Sequence, residues 1–190
     1  MIFLLLLLPV LLFGQTRERV PFETTIFKGE YSEVYEQPLW LEYYIKCPNG
    51  TASREGMDFY KDTKIWTSDN KDYENNVWDK GHLAPAAAFN CTKEMLYTTF
   101  TYLNCALQNQ YLNRGTWRFL EAHERELSKT GDVKVRIDVH FDSKQPELMT
   151  GALVPTGFTK TITHKGNTYK YYFANEKPTY SDYKKYLMNN

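Results

Sequence analysis

A basic surplus is missing from this chain. Among its 190 residues, 23 Lys and Arg balance 23 Asp and Glu, so the formal net charge is zero. Proteins that coat nucleic acid stoichiometrically carry a basic excess, and its absence counts against that class. An enzyme that must release its product needs only a local basic rim. Cysteine is scarce, with Cys47, Cys91 and Cys105 as the whole set. No Cys-x-x-Cys occurs and the four His are scattered, which argues against a zinc site. No apolar run reaches the roughly 20 residues that a helix needs to cross a bilayer. Repeats and linkers are also absent, so no domain boundary is placed within the body of the chain.

What is present begins with an apolar N-terminus. Residues 1–14 contain Ile2, Phe3, five consecutive leucines, Pro9, Val10, Leu11, Leu12 and Phe13, and end at Gly14. About 12 apolar residues fit a secretory signal peptide, with Gly14 as the small residue before the cut. The run holds no Arg or Ser and so does not read as a mitochondrial presequence. The expectation is a signal peptide over 1–14 and one domain over 15–190. The mature protein would be secreted, with no stable membrane association. Secretion makes Asn49 and Asn90 glycosylation candidates, since each opens an Asn-x-Thr sequon. It also implies one disulfide among three cysteines. Cys91 with Cys105 is the favoured pair because both flank the motif region, although sequence does not fix connectivity.

Aromatic residues make up 16% of the chain, which suits a packed globular domain and argues against disorder. Charge is uneven along it. Residues 21–45 carry five Glu against one Lys, whereas 160–185 carry six Lys against one Glu and one Asp. A Lys-rich face attracts phosphate whatever its sequence, but an ordinary solvated surface has the same composition. Residues 16–36 are polar and read as an extended approach to the domain. Period-two alternation predicts strands over 39–46 and 133–141, with further strands over 148–155 and 158–164. The last of these turns at His164–Asn167 into Thr168–Ala174 as a hairpin. Pro48-Asn49-Gly50 reads as a turn, and Leu112–Leu127 as a helix packed through Trp117, Leu120 and Leu127.

The central stretch carries the chemistry. It opens with Asp79-Lys80-Gly81-His82, continues through Leu103-Asn104 and Gln108, and closes with Leu112-Asn113, Trp117, Leu120 and Glu121. In order and spacing these residues resemble the DNA/RNA non-specific endonucleases, the ββα-metal nucleases. That family's hallmarks are Asp-Arg-Gly-His, Ser-Asn-x-x-Pro-Gln and Leu-Asn-x-x-x-Trp-x-x-Leu-Glu. Several separate matches at the right intervals form a far more specific signal than a lone tetrapeptide. The likeness covers most of the chain after about Leu39. It includes Met149–Pro155, which is similar to the family's late Thr-Gly-Pro-Leu strand.

The resemblance implies an α+β fold, a central mostly antiparallel sheet with flanking helices that carries a ββα-metal site. It implies a nuclease that cuts DNA and RNA without sequence specificity, which the apolar N-terminus would make a secreted one. His82 would be the general base, and a neutral imidazole near pH 7 can take a proton from water. Asn113 would hold Mg²⁺, with Mn²⁺ or another divalent cation as a substitute. Mg²⁺ characteristically keeps several waters and few protein ligands. On a straight helix, Asn113 and Glu121 are separated by about 12 Å of rise, so they could not both bind one ion directly. Glu121 would then lean towards a metal-bound water, and its alternative is a solvent-facing salt bridge with Arg118 or Arg125.

Other assignments follow from the same resemblance. Asn104 would orient waters and the surroundings of His82, while Gln108 supports the loop and Asp79 holds the motif by hydrogen bonding. Both amides could instead satisfy turn backbone. Lys80 and Arg54 would bind substrate phosphate, with Lys61 or Lys64 as alternatives to Arg54. Lys80 departs from the family's Arg and loses its planar two-point grip on phosphate. Leu107 replaces the family's Pro. The family's homodimers are implied by resemblance alone, with no interface assigned. A catalytically inactive nucleic-acid binder of the same fold is the rival reading.

Overall fold

A computed structural model describes residues 17–45, 47, 49–142 and 147–189. The apolar run at 1–14, and with it the signal-peptide reading, lies outside the described residues. So do Lys46, at the end of the expected first strand, and Pro48 of the expected turn.

Six strands form one antiparallel sheet: β1 (Val20–Glu23), β2 (Phe27–Ser32), β3 (Gln37–Tyr44), β6 (Val133–His140), β7 (Gly157–His164) and β8 (Asn167–Ala174), in spatial order β1-β2-β3-β6-β7-β8. Between β3 and β6 the chain leaves the sheet. There it forms an antiparallel ribbon of β4 (Trp78–His82) and β5 (Cys105–Asn109), with short helix α1 (Lys93–Thr98) between them. Helix α2 (Gln110–Leu112) follows, then a π-helical turn (Asn113–Trp117) and helix α3 (Arg118–Ser128). The architecture is α+β around a large antiparallel sheet.

The alternation in β6 determines which face is covered. Val133, Val135, Ile137 and Val139 point inward and are buried, whereas the residues between them are partly exposed. Leu41 and Tyr43 of β3, Phe158 and Ile162 of β7, and Tyr171 and Phe173 of β8 extend that apolar face. Leu112, Trp117 and Leu120 cover it from the helical side, together with Leu83, Ala88 and Phe89 from the segment after β4. Trp117 is fully buried, with edge contacts to Phe158 and Phe173 at 5.5 and 5.7 Å.

Three sequence expectations change. Residues 16–36 are not merely an approach, because β1 and β2 occupy the edge of the sheet. The buried alternation of Phe27, Gly29 and Tyr31 is short and diluted by Lys28 and Glu30. The expected strand at 148–155 is reduced to an isolated bridge between Glu147 and Leu153. The continuous helix over 112–127 is broken at Gly115, whose φ of −109° and ψ of −111° are non-helical. Glycine, lacking Cβ, accepts that conformation readily.

One feature of the core was not expected. Lys160 occupies an inward position of β7, and Glu124 lies on the covered stripe of α3; both are 0% exposed. Lys160 Nζ is 2.9 Å from Glu124 Oε1, in ion-pair contact whose angles fall short of a hydrogen bond. Nζ also lies 3.9 Å from the Trp117 ring centroid, and Tyr43 Oη donates to Glu124 Oε2 at 2.9 Å.

Candidate active site

The β4–β5 ribbon assembles the motif by register. His82 stands opposite Cys105, Gly81 opposite Ala106 and Asp79 opposite Gln108. A β-carbon on Gly81 would lie 2.5 Å from both Cβ and Oε1 of Gln108, which explains the glycine directly. The Gln108 amide is buried without a hydrogen-bond partner among the described residues, so Gln108 supports the ribbon by packing over Gly81. Gly81→Ala is expected to cost about 1–3 kcal/mol through overpacking, read as a lower urea midpoint. An unchanged midpoint would show that Gln108 can move aside.

His82 ends β4 with its ring between Phe59 and Phe100, at centroid distances of 4.8 and 5.1 Å. Its Nε2 is buried without a partner. Burial first, and the nearby Arg54 guanidinium second, lower its pKa to about 4. Both effects disfavour the charged form, so the imidazole is neutral at physiological pH. Asn104, fully buried, secures the segment that follows. Its Oδ1 accepts from Ala84 N at 2.7 Å, and its Nδ2 donates to the carbonyls of Ala84 and Thr99 at 2.9 and 2.8 Å. Asn104 therefore does not line the cavity beside His82; it holds the backbone behind it.

Asp79 clamps the helical side. Its carboxylate accepts from Asn113 Nδ2 at 2.9 Å and from Arg114 Nε and Nη2 at 2.8 and 2.6 Å. A carboxylate only accepts, so the Asn113 nitrogen must face Asp79 and its Oδ1 is left for another ligand. Asn113 and Glu121, on opposite sides of the break at Gly115, line one cavity of about 420 Å³ with Arg54, His82, Arg114, Arg118 and Arg125. The straight-helix separation of Asn113 from Glu121 does not apply across that break. Glu121 has its pKa raised to about 7, chiefly by burial, with Lys160 opposing the shift and Glu124 reinforcing it.

Lys80 is placed elsewhere. Its Nζ meets Asn70 Oδ1 and lies 3.4 Å from Asp58 Oδ1, above the rings of Phe59 and Tyr102, and it does not line the cavity. The Phe59 ring is a neighbour of both Lys80 Nζ and the His82 ring. Neither of the alternatives to Arg54 lines the cavity. Arg114, Arg118 and Arg125 do line it, although the sequence reading did not single out Arg114 and named Arg118 and Arg125 only as salt-bridge partners of Glu121. With Glu121 they follow spacings of four, three and four, which on a helix marks one face.

The described arginines divide sharply. Arg17, Arg19, Arg114 and Arg136 each pair with a carboxylate. Arg54, Arg118 and Arg125 have no carboxylate partner among the described residues, and all three converge on the cavity. Three guanidiniums outside any salt bridge, with Glu121 near Arg125 as the one carboxyl of the lining, surround a neutral imidazole and offer donors to a charged oxyanion. Among the described residues no cluster of three His, Cys, Asp or Glu could hold a metal ion. The donors available are the Asn113 amide oxygen and the Glu121 carboxylate, hard oxygens that suit Mg²⁺ or Mn²⁺ and not a thiolate metal. A carboxyl kept half-neutral by burial is also one that a bound cation would favour in its charged form.

The disulfide joins Cys47 to Cys91, not Cys91 to Cys105. Cys105 faces the interior of the ribbon, where burial pushes its thiol up to about 12 and its Sγ contacts Tyr73 Oη at 3.3 Å. The actual bridge fastens the end of β3 to the segment after His82. Backbone bonds support it, with Ala52 N donating to Asn90 O at 2.8 Å and Asn90 Nδ2 to Gly50 O at 2.9 Å. That second bond occupies the amide that glycosylation of Asn90 would require.

Comparison with known proteins gives consistent results. The model of the DNA/RNA non-specific endonuclease family matches residues 14–189. A zebrafish (Danio rerio) protein named "Nuclease EXOG, mitochondrial" is 32% identical over 111 residues, covering 55% of this chain and 32% of the relative. Bovine (Bos taurus) "Endonuclease G, mitochondrial" is 33% identical over 97 residues, covering 48% and 32%. The chain thus spans about a third of the length of these relatives. The crystal structure of the EndoG/EndoGI complex superposes with a TM-score of 0.78 at 24% identity, covering 89% of this chain and 80% of that one, a likeness of fold. The relatives' names correct the expectation of secretion: they are mitochondrial nucleases, which point away from a secreted location. An apolar run without charge is a weak address on which to rest that expectation.

Proposed function

The chain belongs to the DNA/RNA non-specific endonuclease family, and from that premise we propose that it hydrolyses phosphodiester bonds of DNA and RNA with the help of a divalent cation. The observation that carries the proposal is the convergence of Arg54, Arg118 and Arg125, all without carboxylate partners, on the cavity that holds His82. Guanidiniums grip phosphate oxygens by two-point hydrogen bonding, and phosphates carry no sequence information directly. Substrate held this way is positioned without being read. His82, neutral and desolvated, takes the proton of the attacking water at a ring nitrogen. Asn113 is the residue that would hold Mg²⁺ or Mn²⁺, with Glu121 as the nearby anion. Such a cation supplies positive charge for the phosphate oxygens and the leaving alkoxide. Asp79 keeps the Asn113 oxygen turned into the cavity, and Asn104 keeps the His82 segment in place.

Arg54 provides the test, because it faces both substrate and base. Arg54→Gln is expected to raise KM for a labelled oligonucleotide about tenfold or more, the loss typical of a charged hydrogen bond. It also removes a cation that disfavours imidazolium, so the His82 pKa rises and the acid limb of kcat/KM moves to higher pH. A raised KM with an unmoved acid limb would separate Arg54 from the base. Wild-type protein that binds oligonucleotide but cleaves none, with several divalent cations tried, would leave only the inactive binder.

A further inference from the structure

Two exposed aromatic side chains, Tyr111 and Phe119, lie within two residues of chain positions that line the arginine cavity, and each carries a cation. Arg118 lines the cavity, and its guanidinium lies 5.3 Å from the ring centroid of Phe119, which is 45% exposed. In α2, before the break at Gly115, Tyr111 is 56% exposed, and Lys177 Nζ lies 5.2 Å from its ring centroid. Tyr111 is close enough to Arg114, another lining residue, to act on its charge. Tyr111 with Lys177 and Phe119 with Arg118 therefore stand on the stretch of chain that supplies Asn113, Arg114 and Arg118 to the cavity.

Exposed aromatics are common on protein surfaces and need no function in themselves. These two differ from the other cation–ring contacts of the described residues. The cations over Trp66, Phe59, Tyr102, Tyr44, Trp40 and Trp117 are Lys61, Lys80, Lys134, Arg136 and Lys160. Every one of those cations also pairs with a carboxylate. Arg118 and Lys177 have no such partner among the described residues. Two ring–cation pairs thus lack an anion and leave ring surface open to water. A nucleotide supplies both missing halves, a phosphate for the cation and a flat base for the ring.

We propose that Tyr111 with Lys177 and Phe119 with Arg118 form a stacking track that holds unpaired nucleotides on either side of the phosphate being cut. The track rests on the nuclease reading of the cavity and adds a substrate preference to it. Bases in a duplex are stacked on one another and do not offer free faces to Tyr111 or Phe119. Single-stranded nucleic acid therefore gains from the track and duplex does not, while base identity matters little because every base has a π face.

The experiment compares wild type with Tyr111→Ala, Phe119→Ala and Tyr111→Phe. Fluorescence anisotropy in EDTA gives the Kd of a 12-nucleotide oligothymidylate and of a duplex of equal length. Cleavage of both is then followed with Mg²⁺. Each Ala variant is expected to weaken single-strand binding about tenfold, while Tyr111→Phe and all duplex values stay within about twofold. Equal weakening for both substrates, or none, overturns the track even if wild type cleaves plasmid. Weakened single-strand binding in variants of a wild type that cleaves nothing keeps the track and sinks the nuclease reading. A wild type that does not bind oligothymidylate overturns both.

Discussion

Replacing His82 with Ala is expected to lower kcat for plasmid or oligonucleotide cleavage about 10²–10⁴-fold, the range that a positioned general base contributes. The loss should fall on kcat with little change in oligonucleotide Kd, because the proposed function gives phosphate binding to the lining arginines and not to the imidazole. The ring is wedged between Phe59 and Phe100, so truncation also leaves a small void. His82→Gln fills more of that space without a base and separates packing from chemistry. Comparable losses in both variants at wild-type Kd would assign proton transfer to His82. Activity restored by Gln would show that the ring matters only as filler.

The second large effect concerns stability. Lys160→Met removes one partner of a fully buried ion pair and strands the Glu124 carboxylate among Trp117, Tyr43 and the sheet. Breaking such a pair costs about 3–5 kcal/mol, whereas replacing both partners by apolar groups is often neutral or stabilising. Lys160→Met is therefore expected to lower the urea midpoint steeply, and the double variant Lys160→Met with Glu124→Leu to recover most of it. The same Lys160 opposes the upward shift of the Glu121 pKa, so its loss also makes the cavity carboxyl harder to ionise. A double variant that is stable yet impaired in divalent-cation dependence would show that the pair supports the site as well as the core. Additive destabilisation in the double variant would contradict the pairing.

Much of the fold was legible because period-two alternation survives wherever one sheet face is buried, as in β3 and β6. The failures have particular causes. β1 and β2 are short edge strands whose polar residues outweigh their pattern. Lys160 and Glu124 sit at inward positions of their elements, but hydrophobic periodicity treats a charge there as noise. The break at Gly115 lies between Asn113 and Glu121, which line one cavity, and a single glycine in an otherwise helical pattern gives little warning of it. Cysteine pairing depended on which thiols reach the same surface, which no spacing reveals. The lining arginines of the helical segment were readable in principle, since Arg114, Arg118 and Arg125 share a helical spacing with Glu121.

The most direct measurement is nucleotide-resolution mapping of the ends produced when the purified protein cuts an end-labelled DNA and its RNA counterpart, with Mg²⁺, with Mn²⁺ and with EDTA. Cuts scattered through both strands, present with either cation and absent in EDTA, are the expected result. Cleavage confined to one sequence, or undiminished in EDTA, would contradict a phosphate-gripping, cation-dependent site.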